Sequence, residues 1–216
     1  MELTRIQFAL FFGREIESPT ELFIRLRQRY DSVFDDEPVI TPWPKEAPSD
    51  APSVIMRSKQ QGSSINIAKS RMDLFVNCLI PGSMSWNSSV KMFMDIFSSL
   101  AAEIGISRIG STLTFFKKSD EPVGEIAEDI LKRALCDGAD EILIRFNEPK
   151  QLDIRYNHVR QIQSAVLQKF EGAVSGVSES IDINTDPRLD SVSEENVQKV
   201  IDLCRGELQS HGAVAE

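Results

Sequence analysis

The sequence has few of the residues on which catalytic and metal sites are usually built. Among its 216 residues there are two histidines, His158 and His211, and three cysteines without a CxxC pair. Nucleophile-and-base chemistry needs a histidine or an equivalent base within reach of the nucleophile. We expect His158 to be an exposed turn residue at a strand end, and His211 to lie in a frayed C-terminal tail. The pattern therefore favours neither a serine–histidine–acid triad nor a zinc site.

Motifs that bind phosphate or calcium are also missing. The sequence contains no glycine-rich dinucleotide loop and no P-loop. The run from Asp182 to Asp186 resembles the start of a calcium loop, but Pro187 stands where that loop needs glycine. We interpret Asp182, Asn184 and Asp186 as water-facing side chains of an edge strand. We therefore predict no cofactor, no metal ligand and no catalytic residue.

Long apolar runs are absent too. No run approaches the roughly 20 residues that a membrane-spanning helix needs. The first residues, Met-Glu-Leu-Thr-Arg, lack the basic-then-apolar order of a secretory signal. Because Cys78, Cys136 and Cys204 lie far apart, we expect reduced and mostly buried thiols in a cytoplasmic protein.

Negative charge is abundant and unevenly distributed. The formal net charge is −9, and eight acidic residues lie between Asp120 and Glu141, with eight more between Glu171 and Asp202. Such a surface repels phosphate backbones, so we expect no direct binding of nucleic acid. It would attract another protein of basic character, although plain solubility is the simpler interpretation of the same charge.

The order of predicted elements occurs twice. Residues 5–104 show the patterns of a strand, a helix, three strands and a helix, and residues 107–209 can be interpreted in the same order. Ser18, Pro19 and Glu21 mark one helix start, and Gly105 marks a helix end. The sequence predicts an α+β protein with two similar β-α-β-β-β-α halves, 1–106 and 107–216, in one compact unit. Helices should cover one or two curved, mostly antiparallel sheets.

The second half is less clearly patterned than the first. We predict a helix over 125–135, a hairpin that joins 142–146 to 152–156, and a final strand over 174–184. Residues 159–168 fit a helix about as well as a strand. A capping box of Ser191 and Glu194 predicts that the last helix starts near residue 191.

Residues 35–53 form the one long predicted loop, with five prolines. Loops of this length are often functional, because most connections in compact domains are shorter. Trp43 between two prolines is either an anchor that fixes the loop or an exposed contact residue. The candidate partner-binding residues are Asp35, Asp36, Glu37 and Trp43.

The stretch from Val54 to Lys118 resembles a family of uncharacterised, sporadically distributed bacterial proteins of α+β type. The resemblance lies in Val-Ile-Met-Arg-Ser, Ser-Ile-Asn-Ile-Ala, Arg-Met-Asp-Leu-Phe-Val-Asn, Trp86 and the strand from Ile109. Ile181-Asp-Ile-Asn-Thr-Asp is similar to the C-terminal end of that family. This chain departs from the family because its opening strand lacks the usual proline-rich lead-in. The resemblance implies no activity, but patchy distribution implies a mobile or defence-linked role.

Three functions remain open at this point. The first is a non-catalytic protein-binding module, such as an immunity-type or defence-system component, that uses an acidic surface. The second is a small-ligand-binding protein with a pocket enclosed by the sheet, and the third is a carboxylate-dependent enzyme. Self-association is a further option, because an exposed edge strand can pair across a two-fold axis.

Overall fold

Ten strands and four helices follow one another along the described part of the chain. The computed structural model describes residues 1–44, 46–60, 62–131, 139–169, 172–187 and 191–213. The elements are β1 (Glu2–Phe12), α1 (Pro19–Tyr30), β2 (Val39–Ile40), β3 (Val54–Arg57), β4 (Ser63–Ile67), β5 (Arg71–Asn77), α2 (Trp86–Ile104), β6 (Ile106–Lys118), α3 (Pro122–Asp129), β7 (Leu143–Asn147), β8 (Lys150–Gln151), β9 (Arg155–Lys169), β10 (Gly172–Thr185) and α4 (Glu194–Ser210). None of the helices in these ranges is long and apolar enough to cross a membrane.

All strands join one open antiparallel sheet in the order β2-β3-β4-β5-β1-β6-β10-β9-β7, and β8 pairs with β9. The first half contributes β2, β3, β4, β5 and β1, and the second half contributes β6, β10, β9 and β7. The two halves meet where β1 pairs with β6. The α+β class, the repeated β-α-β-β-β-α order and the antiparallel sheet are therefore confirmed, with β2 and β8 as short additions.

Side chains of each strand alternate between two faces of the sheet. On β1, Ile6, Phe8 and Leu10 are fully buried and share one apolar core with residues of α1, α2 and α4. Helix α3 packs on the same face, in a smaller core that includes Val177 of β10. We call this side the helix-covered face. The other side, which carries Arg5, Gln7, Ala9 and Phe11 of β1, is called the open face.

Local sequence signals place the helix ends. Ser18 caps α1, and its hydroxyl accepts a hydrogen bond from the Glu21 amide. Gly105 ends α2 with φ 69°, a backbone conformation that glycine adopts without strain. The predicted start of α4 is wrong by two residues, because Ser193 forms the capping box with Asn196. Asparagine can replace the expected glutamate, since its side-chain oxygen also accepts the backbone hydrogen bond.

The second half departs from the prediction in three places. Residues 159–168 belong to β9, which lies between β10 and β7, so strand pairing settles the ambiguous pattern. The predicted hairpin of 142–146 with 152–156 is wrong: β7 pairs with residues 159–163, and β8 closes the turn against the start of β9. Helix α3 begins at Pro122 rather than at residue 125, because proline suits a first helical turn. Helix α3 ends at Asp129, so the prediction was also wrong for residues 130 and 131, and residues 132–135 of the predicted helix lie outside the described residues.

A matched motif relates the two halves, because Met-Asp-Leu at 72–74 of β5 corresponds to Ile-Asp-Ile at 181–183 of β10. Asp73 pairs with Ala9 of β1 and Asp182 pairs with Thr112 of β6, so this match relates β1 to β6 by a shift of 103 residues. Arg5 of β1 pairs with Thr114 of β6, and Phe11 pairs with Arg108. Arg108 lies 103 residues after Arg5, and Thr114 lies 103 residues after Phe11, so the shift that superposes the halves also exchanges these two pairs. Phe8 and Ser111, which pair with each other, are separated by the same shift and mark the axis. With this shift, residues 5–11 of β1 correspond to residues 108–114 of β6.

Candidate functional site

A pocket of about 310 Å³ lies on the open face, over the strands where the two halves meet. Its floor consists of the small residues Ala9 and Gly110, which pair with each other across β1 and β6. Longer side chains from β1, β5, β6 and β10 surround this floor, among them Phe11, Arg71, Arg108, Asp182 and Asn184. We call it the central pocket, and its polar groups form two hydrogen-bond networks, one in each half.

The network of the first half is centred on Asp73 of β5. This carboxylate is only 7% exposed, and it accepts hydrogen bonds from Gln7 Nε2 at 2.9 Å and from Arg71 Nε at 2.8 Å. A second guanidinium nitrogen of Arg71 binds the other carboxylate oxygen, so the pair is bidentate. The buried negative charge of Asp73 is therefore paired with the partly buried guanidinium of Arg71 within the sheet face.

The network of the second half is centred on Asn184 of β10, which is 3% exposed. Asn184 Oδ1 accepts hydrogen bonds from Arg108 Nη2 at 2.9 Å and from Asn157 Nδ2 at 3.2 Å. Its amide nitrogen donates to Asp182 Oδ2 at 3.0 Å. Burial raises the pKa of Asp182, and the hydrogen bond from Asn184 only partly opposes this effect.

Three arginines lie against phenylalanine rings on the open face. The guanidinium carbon of Arg5 is 4.4 Å from the Phe75 ring centroid. Those of Arg71 and Arg108 are 4.6 and 4.8 Å from the Phe11 centroid. Such cation–π contacts hold long side chains in defined positions. These three arginines therefore have partners within the chain, which orders the polar surface at the centre of the open face.

The structure corrects the interpretation of Asp182, Asn184 and Asp186. Their strand, β10, lies inside the sheet between β6 and β9, so it is not an edge strand. Asn184 and Asp186 are buried, and Asp182 is partly buried. Alternating polar residues suggested a water-facing strand, but here they serve a polar sheet face with its own hydrogen bonds. No sequence signal separated these two cases, since the register that joins the halves is a long-range property.

The residues that we predicted to bind a partner lie in the first half, around the edge strand β2. Asp36 forms an ion pair with Lys59 at 3.1 Å, and this hydrogen bond lowers the pKa of Asp36. Asp35 accepts a hydrogen bond from the Lys59 amide, and Glu37 is exposed. Trp43 combines both expected roles: its indole donates to the Pro52 carbonyl at 2.9 Å, and 50% of the residue is exposed. Their role in partner binding stays a prediction, away from the central pocket.

Both histidines occupy positions that differ from the prediction. His158 is 7% exposed on β9, on the helix-covered face, with Nε2 at 3.2 Å from Glu207 of α4. Arg160 bridges Glu207 and Glu179, each at 3.1 Å. His211 caps the end of α4 and lies 3.1 Å from Glu179, stacked on a core phenylalanine. The predictions of an exposed turn for His158 and a frayed tail for His211 were therefore wrong, because these contacts hold α4 against the sheet. Within the described ranges, no group of three or more His, Cys, Asp and Glu side chains could hold a metal ion.

The acidic stretches of the second half contribute to the helix-covered side of the molecule. Exposed acidic residues occur on α3, on α4 and immediately before β7, namely Glu121, Glu128, Asp129, Asp140, Glu141, Glu194, Glu195 and Asp202. Strand positions of the open face, in contrast, carry six arginines: Arg5, Arg57, Arg71, Arg108, Arg145 and Arg155. Although the net charge is negative, the open face has arginines at its centre.

No family model matches this sequence, and no curated protein matches it either.

Proposed function

We propose that this chain is a non-catalytic protein-binding module that contacts its partner on the open face, around the central pocket. The observation that supports this most directly is the ordered set of arginine–phenylalanine and arginine–carboxylate contacts on that face. Arginine and aromatic residues are enriched at protein interfaces and in their energetic hot spots. Side chains that are already fixed lose little entropy on binding, which favours affinity.

The charge distribution supports a partner of basic character. The net charge of −9 attracts a basic protein over long range, and the exposed acidic residues of the helix-covered side, rather than the open face, account for this attraction. A cytoplasmic location is part of the same proposal, and the free thiols Cys78 and Cys204 support it. An immunity-type or defence-system role is proposed from the family resemblance only.

An affinity capture from the native host, quantified by mass spectrometry, tests the proposal. The test variant is Arg5→Ala with Arg108→Ala, which removes two open-face guanidiniums. The matched control is Arg25→Ala with Arg29→Ala, which removes two guanidiniums from α1 on the opposite side. Loss of hot-spot contacts worth about 2 kcal/mol would lower capture roughly thirtyfold in the test variant. Equal capture by both variants would contradict the open face as the binding surface.

A further variant tests the contribution of the acidic surface. Charge reversal of Glu194, Glu195 and Asp202 on α4 should slow association and reduce its dependence on salt. Unchanged partner binding after this reversal would mean that the acidic surface plays no part.

The second candidate function is the binding of a small ligand, which the central pocket favours because it combines a small-residue floor with polar walls. Native mass spectrometry of the purified protein distinguishes this candidate from the first. A stoichiometric mass increase of a few hundred daltons would support a small ligand, and the bare chain mass would count against it.

A further inference from the structure

The matched segments Met-Asp-Leu at 72–74 and Ile-Asp-Ile at 181–183 make Asp73 and Asp182 equivalent residues of the two halves. Asp73 of β5 pairs with Ala9 of β1, and Asp182 of β10 pairs with Thr112 of β6. The match of the two aspartates thus defines the shift of 103 residues that relates β1 to β6. Both aspartates therefore occupy the same place on the open face, one on each side of the two central strands.

The two groups that bind the side chain of Asp73 have no counterpart at Asp182. Gln7, which donates one hydrogen bond to Asp73, corresponds to Gly110 in the second half, which carries no side chain. Arg71 pairs with Phe11, and the equivalent of Phe11, Thr114, pairs with Ser180. The position of the bidentate arginine is thus taken by a serine, too short to reach the carboxylate in the same way.

The absence of these groups leaves space beside one oxygen of Asp182. A methyl group placed on Gly110 would lie 3.9 Å from Asp182 Oδ1, so this oxygen faces the gap above the glycine. The other oxygen, Oδ2, accepts the hydrogen bond from the amide of Asn184. The gap opens into the central pocket, which Gly110 and Asp182 both line. Burial raises the pKa of Asp182.

We propose that Asp182 is the receptor for a guanidinium group, which enters the central pocket and donates hydrogen bonds to Oδ1. The Arg71–Asp73 pair in the first half shows the bound arrangement inside this protein. Arg108, Arg145 and Arg71 lie close enough to Asp182 for their charges to lower its pKa. Arg108 is hydrogen-bonded to Asn184, however, and Arg71 is hydrogen-bonded to Asp73, so neither of these bonds uses Asp182 Oδ1. The inference rests on the proposed function for the source of the guanidinium, which is an arginine side chain of the partner protein.

A titration of the full chain with small probes tests the receptor separately from the partner. The probes are Nα-acetyl-arginine amide, its lysine analogue and its citrulline analogue, which has the shape of arginine without its charge. Binding is followed by chemical-shift changes in ¹H–¹⁵N correlation spectra of the labelled protein. We expect saturable binding of the arginine probe at the central pocket, at least tenfold weaker binding of the citrulline probe, and a lysine probe of intermediate affinity.

Two variants give independent tests of the same geometry. Asp182→Asn keeps the shape of the side chain and should weaken binding of the arginine probe at least tenfold. Ser180→Arg places an internal arginine where Arg71 lies in the first half, so it should block the site. Ser178→Arg is the matched control, because it adds the same charge on the same strand and face two residues away. It should leave the affinity for the arginine probe within about twofold of the wild-type value.

The pH dependence follows from the carboxylate form of Asp182. Protonation removes the negative charge, so affinity for the arginine probe should fall as the pH is lowered through the raised pKa of Asp182. Equal binding of the arginine and citrulline probes, or an unchanged affinity in both Asp182→Asn and Ser180→Arg, would overturn the receptor. A saturable arginine site combined with a failed capture from the host would instead uphold the receptor and reject the protein partner.

Discussion

Truncation of Phe8 to alanine should destabilise the protein far more than truncation of Phe11, three residues further along β1. Phe8 is fully buried on the helix-covered face, where its ring stacks on Phe93 with centroids 4.7 Å apart. It also contacts the Trp86 ring at 5.5 Å. Because these partners belong to α2, the ring joins the central strand of the sheet to the longest described helix.

The expected magnitude follows from burial and ring contacts. Replacing a buried phenylalanine by alanine costs about 3–5 kcal/mol, since the cavity fills only partly. Two aromatic neighbours on rigid elements place Phe8→Ala at about 4 kcal/mol. For a chain of this size, each kcal/mol lowers the melting temperature by about 2–4 °C, so the variant should melt about 8–16 °C lower.

Phe11→Ala is the matched control on the open face. Its ring is partly exposed and contacts the guanidiniums of Arg71 and Arg108, which are worth about 0.5–1 kcal/mol each at such a site. Thermal and urea denaturation followed by circular dichroism measure both variants. Equal losses in Phe8→Ala and Phe11→Ala would refute the division of β1 between a core face and an open face.

Four further outcomes follow from individual environments. Burial lowers the pKa of His158, so the unfolded histidine takes up a proton near its ordinary pKa of 6.5 while the folded one does not. The free energy of unfolding should therefore fall as the pH drops below about 6.5. Denaturation at a series of pH values should show a smaller fall for His158→Gln. Gly62 has φ +58° and no room for a methyl group, so Gly62→Ala should cost about 1–2 kcal/mol. Gly206→Ala, in α4 with open space around it, should instead stabilise by up to about 1 kcal/mol. Burial raises the pKa of Cys78 to about 11 and that of Cys204 to about 12, so both thiols should react slowly with maleimide at pH 8 in the folded protein.

The sequence predicted those parts of the fold whose causes are local. Ser18 and Pro19 determine where α1 begins, and alternating apolar residues identify β5 and its buried face. Strand β9 could not be assigned, because its pattern fits a helix equally well and only its neighbours in the sheet decide. The predicted hairpin after β7 failed for a related reason, since a strand can find its partner beyond the nearest apolar run.

The candidate site could not be predicted from the sequence, because it depends on the pairing register of strands that lie about 100 residues apart in the chain. The segment around Asp182 is similar to a segment of the first half, since Met-Asp-Leu at 72–74 is matched by Ile-Asp-Ile at 181–183. The sequence does not show that these two segments occupy corresponding places in the sheet, because that depends on β5 and β10 lying on either side of β1 and β6. The buried histidines were missed because their partners, Glu179 and Glu207, lie far from them along the chain.

Arginine footprinting of the captured complex tests the central claim most directly. Phenylglyoxal modifies accessible guanidiniums, and mass spectrometry compares each arginine in the free chain and in the complex. Binding on the open face predicts that Arg5 and Arg145 become protected by the partner, while Arg25 and Arg29 of α1 keep their reactivity. Protection of Arg25 and Arg29 with unchanged reactivity of Arg5 and Arg145 would contradict the claim, because the partner would then lie on the helix-covered side.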